Sequence, residues 1–227
     1  MRKIPGQPEH PEHLVVINGH AGRIEMTGTQ SKARRWLHEW LPSIFILMLI
    51  LVTRSTLADH YFVPSGSMEP TLQPGDHVMV HKAAYGLRIP FTKEVIAFQG
   101  QPVAGEIVIF DSPVDGTRLI KRVVAVPGDE VAVLNGRVFI NGTPQVERNY
   151  PAIEHYGQRD VPLKLDHGGG PNLRPSIVPE GHVLVLGDHR GNSQDGRFFG
   201  TVPISELYGR AGAVFWRSSE GPLWQNL

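Results

Sequence analysis

The chain has 227 residues, and its 22 Lys and Arg balance 22 Asp and Glu, so the formal charge is zero. That balance gives no basic footprint for nucleic acid and no acidic one for a cationic partner. A hydrophobic share of 41% excludes global disorder, and the absence of Cys excludes a disulfide scaffold, a cysteine nucleophile and a thiolate metal site.

Residues 1–35 are polar, with Pro5, Pro8 and Pro11 early and Lys32, Arg34 and Arg35 late, and read as a flexible tail. The most apolar stretch follows, Leu41 to Val52. At 12 residues it is shorter than the roughly 20 needed to cross a bilayer. Extending it to 36–58 reaches that length but takes in His38, Glu39 and Arg54. Arg54 stands near the far end, where a long side chain snorkels to the headgroups, and Trp36 and Trp40 suit the near interface. We therefore expect one transmembrane helix over 36–58. Two other readings of the run are a buried core helix and a cleaved secretory signal, and no small-residue cleavage pattern follows it to favour the second. The basic residues before the run, Arg2, Lys3, Arg23, Lys32, Arg34 and Arg35, put the tail in the cytoplasm and 59–227 outside it.

Beyond residue 60 short β-rich runs alternate with Gly and Pro. They are His77–Lys82, Glu106–Phe110, Leu119–Val126, Glu130–Leu134, Arg137–Ile140, His182–Leu186 and Ala213–Trp216. Asn135-Gly136 between two of them is a strong hairpin signal. The 25 Gly and 19 Pro suit a turn-rich fold. The expected class is mostly β, an antiparallel sandwich or barrel-like domain. Residues 141–180, with six prolines and Gly168-Gly-Gly170, read as a long excursion from the sheet.

Three motifs bear on chemistry. In Val63-Pro-Ser-Gly-Ser-Met-Glu-Pro-Thr-Leu72 two serines flank a glycine. Such a turn exposes a serine as nucleophile beside free N–H groups, although Ser-Gly-Ser is also common in ordinary turns. In Leu119-Ile-Lys-Arg-Val-Val-Ala-Val126 strand alternation sets Lys121 among Leu119, Val123 and Ala125, with Arg122 opposite. Desolvation lowers a lysine pKa and makes the amine a general base, whereas an edge strand would leave it in solvent. The third, Leu186-Gly-Asp-His-Arg-Gly-Asn-Ser-Gln-Asp-Gly-Arg197, is a polar loop at the end of an apolar strand. The histidines show no ligand spacing, so neither metal nor organic cofactor is expected.

Taken in order, an apolar run, Ser-Gly-Ser-Met-x-Pro-Thr-Leu, Lys-Arg in a strand ending at Pro127-Gly-Asp129, and Gly-Asp-x-Arg-x-Asn-Ser-x-Asp resemble the bacterial type I signal peptidases of the serine–lysine class. The resemblance extends from about residue 40 to 204 and includes Pro74-Gly-Asp76 and Gly105-Glu-Ile-Val-Ile-Phe110. It implies that Ser67 is the nucleophile and Lys121 the general base, with the Ser65 hydroxyl and the Ser67 N–H as oxyanion hole. It implies further that Ser193 orients the lysine amine, that Asp195 and Arg197 support it, and that Val63, Met68 and Leu119 bind substrate. Glu106 and Gly196 stand where the family more often has Asp and Ser.

The implied activity is removal of signal peptides from exported preproteins after small residues, through an acyl-enzyme, at the cell membrane. The implied partners are signal peptides and the lipid bilayer. A specialised peptidase for one substrate, such as a conjugation pilin, would use the same chemistry. A tethered β-domain that binds envelope peptides without catalysis is the reading from another class. His189 also invites a Ser/His/Asp triad, but its spacing does not favour it over Lys121.

Overall fold

Strands that are buried on both faces form the middle of this fold. Ile107–Asp111 and Arg118–Ala125 are buried along most of their length, as expected for strands covered on both sides. Glu130–Leu134 alternates exposed and buried, so it covers the core with one face only. The computed structural model describes residues 36, 39–50, 58–88, 95–97, 100–147 and 149–227.

The principal sheet has eight strands, all paired antiparallel. Its order runs Ala58–Phe62, His77–His81, Leu207–Arg217, Ile107–Asp111, Arg118–Ala125, His182–Leu186 and Val202–Pro203, with Gly221–Asn226 joined to Leu207–Arg217. The long strand Leu207–Arg217 pairs with three neighbours and shifts register along each, the bulged geometry that lets one strand serve several partners. A second sheet, of four strands, contains the expected hairpin of Glu130–Leu134 and Arg137–Ile140. Asn135 and Gly136 both take positive φ, 48° and 77°, as the tight hairpin turn requires.

The Pro-rich stretch 141–180 is itself folded. Tyr150–Tyr156 pairs with Val146–Glu147 and Arg159–Pro162 in a three-stranded sheet, and Leu173–Ile177 pairs with Glu130–Leu134. Its prolines fall between strands, near strand ends or on edge strands, where a missing N–H is tolerated. Val161 and Leu163 from this stretch join Val124, Val131 and Leu184 in one of three apolar clusters of the core.

By contact density the chain divides into Met1–Phe45 and Ile46–Leu227. A helix runs over 39–50, and the side chains of Ile44 to Ile50 along it are more than half exposed. The expected tail, and residues 37–38 and 51–57 of the expected span, lie outside the described residues. Ala58, set at the end of the span, belongs instead to the first strand. Among the described residues no helix is long and apolar enough to cross a membrane.

Candidate active site

The Ser65-Gly-Ser motif folds as a single 3-10 turn, Gly66–Met68. The Met68 side chain plugs it into the core with Val63 and Leu72, while Ser67 is left at the surface of that core. The carbonyl of Ser67 accepts the His189 N–H at 3.2 Å, so the first and third motifs are joined through the backbone of the serine turn.

Lys121 lies in the interior of the sheet, between Ile107–Asp111 and His182–Leu186, and is 3% exposed. The solvated edge-strand alternative is thereby overturned. Its Nζ is 2.7 Å from Ser67 Oγ and donates to the Ile120 carbonyl at 2.9 Å. Burial of the amine pulls its pKa down from the ordinary 10.5 to about 8, against the upward pull of the Asp195 and Asp188 carboxylates. Those carboxylates are already engaged. Asp188 is gripped by Arg122 through Nε at 2.8 Å and a terminal nitrogen at 2.7 Å, and it also accepts from Thr71. Asp195 accepts from Arg197 Nε at 2.8 Å and from the Gly187 N–H at 3.0 Å. With both anions neutralised by guanidinium groups, desolvation prevails and the lysine is poised to be neutral just above neutral pH.

The remaining expected residues divide. Ser65 is exposed, and its Oγ is 3.4 Å from that of Ser67. Leu119 lines the same cavity of about 380 Å³ as Ser65, Ser67, Lys121, Ser193 and Phe198. Val63 and Met68, expected at the substrate, are wholly buried in the core and are not among the residues that line this cavity. Ser193, expected to hold the lysine amine, faces the cavity, but its buried Oγ has no hydrogen-bond partner. The Ile120 carbonyl makes the amine contact instead. Asp195 caps the short helix Gly196–Phe199 and clamps Arg197, which also donates to the Gly169 and Arg190 carbonyls. That pair holds the third motif in shape.

Glycines in this motif are set by close approach. A Cβ on Gly187 would lie 2.4 Å from the Ser67 carbonyl and 2.3 Å from Ser193 Oγ. A Cβ on Gly196 would meet the Val185 carbonyl at 2.9 Å, so glycine suits the place where the family more often has Ser. Glu106, the other departure, is fully used by the Tyr85 hydroxyl at 2.9 Å, the Val103 N–H at 3.1 Å and Arg210 at 2.9 Å.

His189 lacks the contact with the serine hydroxyl that a triad needs. Its ring faces the Gly66 carbonyl at 3.3 Å rather than the Ser67 hydroxyl. Sequence reasoning missed what it does meet: Asp166 Oδ1 at 2.7 Å and His167 Nδ1 at 2.9 Å from its Nε2. It also missed the buried Arg190–Glu154 pair under the site, because Glu154 and Asp166 both lie in the stretch read as leaving the sheet.

Comparison with known proteins gives one consistent result. The family model described as signal peptidase, peptidase S26, matches residues 37–216. A probable signal peptidase I-2 of Synechocystis is 35% identical over 188 residues, covering 80% of this chain and 73% of that protein. The signal peptidase I of Pseudomonas aeruginosa is 34% identical over 218 residues, covering 84% of this chain and 76% of its own. That of Pseudomonas fluorescens is 33% identical over 221 residues with the same two shares.

Proposed function

The chain belongs to the peptidase S26 family of signal peptidases, which are serine endopeptidases, and we propose that it removes signal peptides from exported preproteins with Ser67 and Lys121 as nucleophile and base. The observation that supports this most is the 2.7 Å approach of a desolvated lysine amine to the hydroxyl of a serine held on a tight turn. In this reading neutral Lys121 takes the Ser67 proton as Oγ attacks the carbonyl carbon of a small residue. The oxyanion accepts hydrogen bonds from the Ser65 hydroxyl and the Ser67 N–H. Collapse breaks the peptide bond, and the Lys121 ammonium returns the proton to the departing amine. The same lysine, neutral again, takes a proton from the water that attacks the acyl-enzyme ester, and Ser67 is regenerated.

Substrate adds as an extended segment along the cavity bordered by Leu119, where shallow apolar room favours small side chains at the −1 and −3 positions. The apolar run that ends before Ala58 anchors the chain in the cell membrane, tail inside and β-domain outside.

The test is incubation of the purified full-length chain in detergent with a preprotein whose signal ends in Ala-x-Ala. Cleavage after the second Ala, abolished by Ser67→Ala, is the expected result. A folded chain that leaves the preprotein intact, or a Ser67→Ala variant that cuts it equally well, would refute the proposal.

A further inference from the structure

Asp166, His167 and His189 converge at one point of the β-domain, and we propose that they form a binding site for a borderline divalent transition metal, with Zn2+ as the fitting ion. His189 Nε2 is 2.7 Å from Asp166 Oδ1 and 2.9 Å from His167 Nδ1, and the latter two atoms are 3.2 Å apart. Three atoms so spaced admit a point about 2.0 Å from each, the length of Zn–N and Zn–O bonds. Two imidazoles and a carboxylate are the donor set such an ion favours, with a fourth position open to water.

One tautomer of His189 suits a metal ligand. Its Nδ1 faces the Gly66 carbonyl at 3.3 Å, an uncharged group able to accept a ring N–H. With the proton on Nδ1, Nε2 carries a lone pair aimed at the carboxylate oxygen of Asp166, and a cation between them turns that repulsion into two bonds. A ligand histidine that gives its other N–H to a backbone carbonyl is the usual arrangement around protein-bound metals. His189 is also fixed in place, 2% exposed, while Asp166 and His167 are half-exposed or more and free to open by the few tenths of an ångström that an ion needs.

The neighbouring charges leave the point open to a cation. Glu69 Oε2 lies 3.6 Å from His189 Nδ1. The Lys164 ammonium is taken by Glu69 at 2.7 Å and lies 3.5 Å from the other oxygen of Asp166, leaving Oδ1 for the metal. Because His189 donates its own N–H to the Ser67 carbonyl, an ion here ties the 166–167 segment to the backbone of the serine turn. None of the three ligands belongs to the proposed nucleophile–base pair, so the site stands or falls separately from the peptidase reading.

Zn2+ is titrated into the metal-free full-length chain in detergent against a chromophoric zinc indicator, and thermal unfolding is followed in parallel. The wild type binds one equivalent, with a rise in melting temperature. His167→Ala and Asp166→Asn, both at exposed positions, each bind about tenfold more weakly or worse and lose that rise. His155→Ala, which alters the separate pairing with Asp160, binds as the wild type does. The absence of one-equivalent binding in the wild type would overturn the proposal, as would undiminished binding in both ligand variants or its loss in His155→Ala.

Discussion

Burial keeps the Lys121 amine neutral at a lower pH than in the unfolded chain, and this gives its stability effect a definite sign. Folded, it loses its proton around pH 8; unfolded, at its ordinary 10.5. Between those values the unfolded state binds a proton that the folded state does not, so stability rises with pH through the window. Below pH 8 the whole penalty applies, about 3 kcal/mol for a difference of this size. Lys121→Met removes it and forfeits hydrogen bonds to Ser67 and Ile120 worth about 1 kcal/mol each. The variant is therefore expected to melt higher than the wild type at pH 7, with the gap shrinking and reversing as the pH approaches 10. A variant that is less stable at pH 7, by an amount independent of pH, would contradict the burial argument. In the proposed mechanism Ser65 contributes less than Ser67 or Lys121. Ser65→Ala is expected to lower kcat by about 10²–10³ with little change in KM, since it removes one donor to the oxyanion. Steady-state kinetics on an Ala-x-Ala peptide checks this.

Arg190 and Glu154 connect the third motif to the three-stranded sheet through two hydrogen bonds, and both side chains are fully buried. Glu154 also accepts the Tyr156 hydroxyl and the Val138 N–H, and Arg190 donates to the Gly187 and Gly136 carbonyls. Arg190→Met leaves the Glu154 carboxylate buried without its counter-charge, and is expected to cost about 3–5 kcal/mol in urea unfolding. The same pair shows where sequence reading succeeds and stops. The Asn135-Gly136 hairpin was readable because its two strands are adjacent in the chain and its turn needs two positive φ values. Strand alternation alone sets Lys121 among apolar side chains and leaves a solvated edge strand open; the base role rests on the family resemblance. Arg190 was visible as part of a motif, but its partner comes from 36 residues upstream, across a Pro-rich stretch whose strands are short and pair non-locally. The family resemblance sets Val63 and Met68 at the substrate. The turn Gly66–Met68 directs Met68 into the core, and no local pattern reports that direction. Asp166 and His189 are likewise brought together by the tertiary pairing of Lys164 with His189.

At the scale of the whole chain, the proposed anchor and the catalytic reading make separate claims. The basic flank Lys32, Arg34 and Arg35 predicts that a reporter fused after Leu227 is active only outside the cytoplasm, and that alkaline carbonate leaves the chain in the membrane fraction. Cytoplasmic reporter activity would contradict that topology without touching the chemistry. The central claim is that Lys121, neutral, activates Ser67, and the most direct measurement is the pH dependence of turnover of an Ala-x-Ala preprotein by full-length wild type and Lys121→Arg. The wild-type rate should rise along a limb with an apparent pKa near 8, the value at which the buried amine loses its proton. The arginine variant, permanently protonated, should be inactive throughout, by about 10⁴ or more. Near-normal turnover by folded Lys121→Arg would show that another group is the base and would contradict the account.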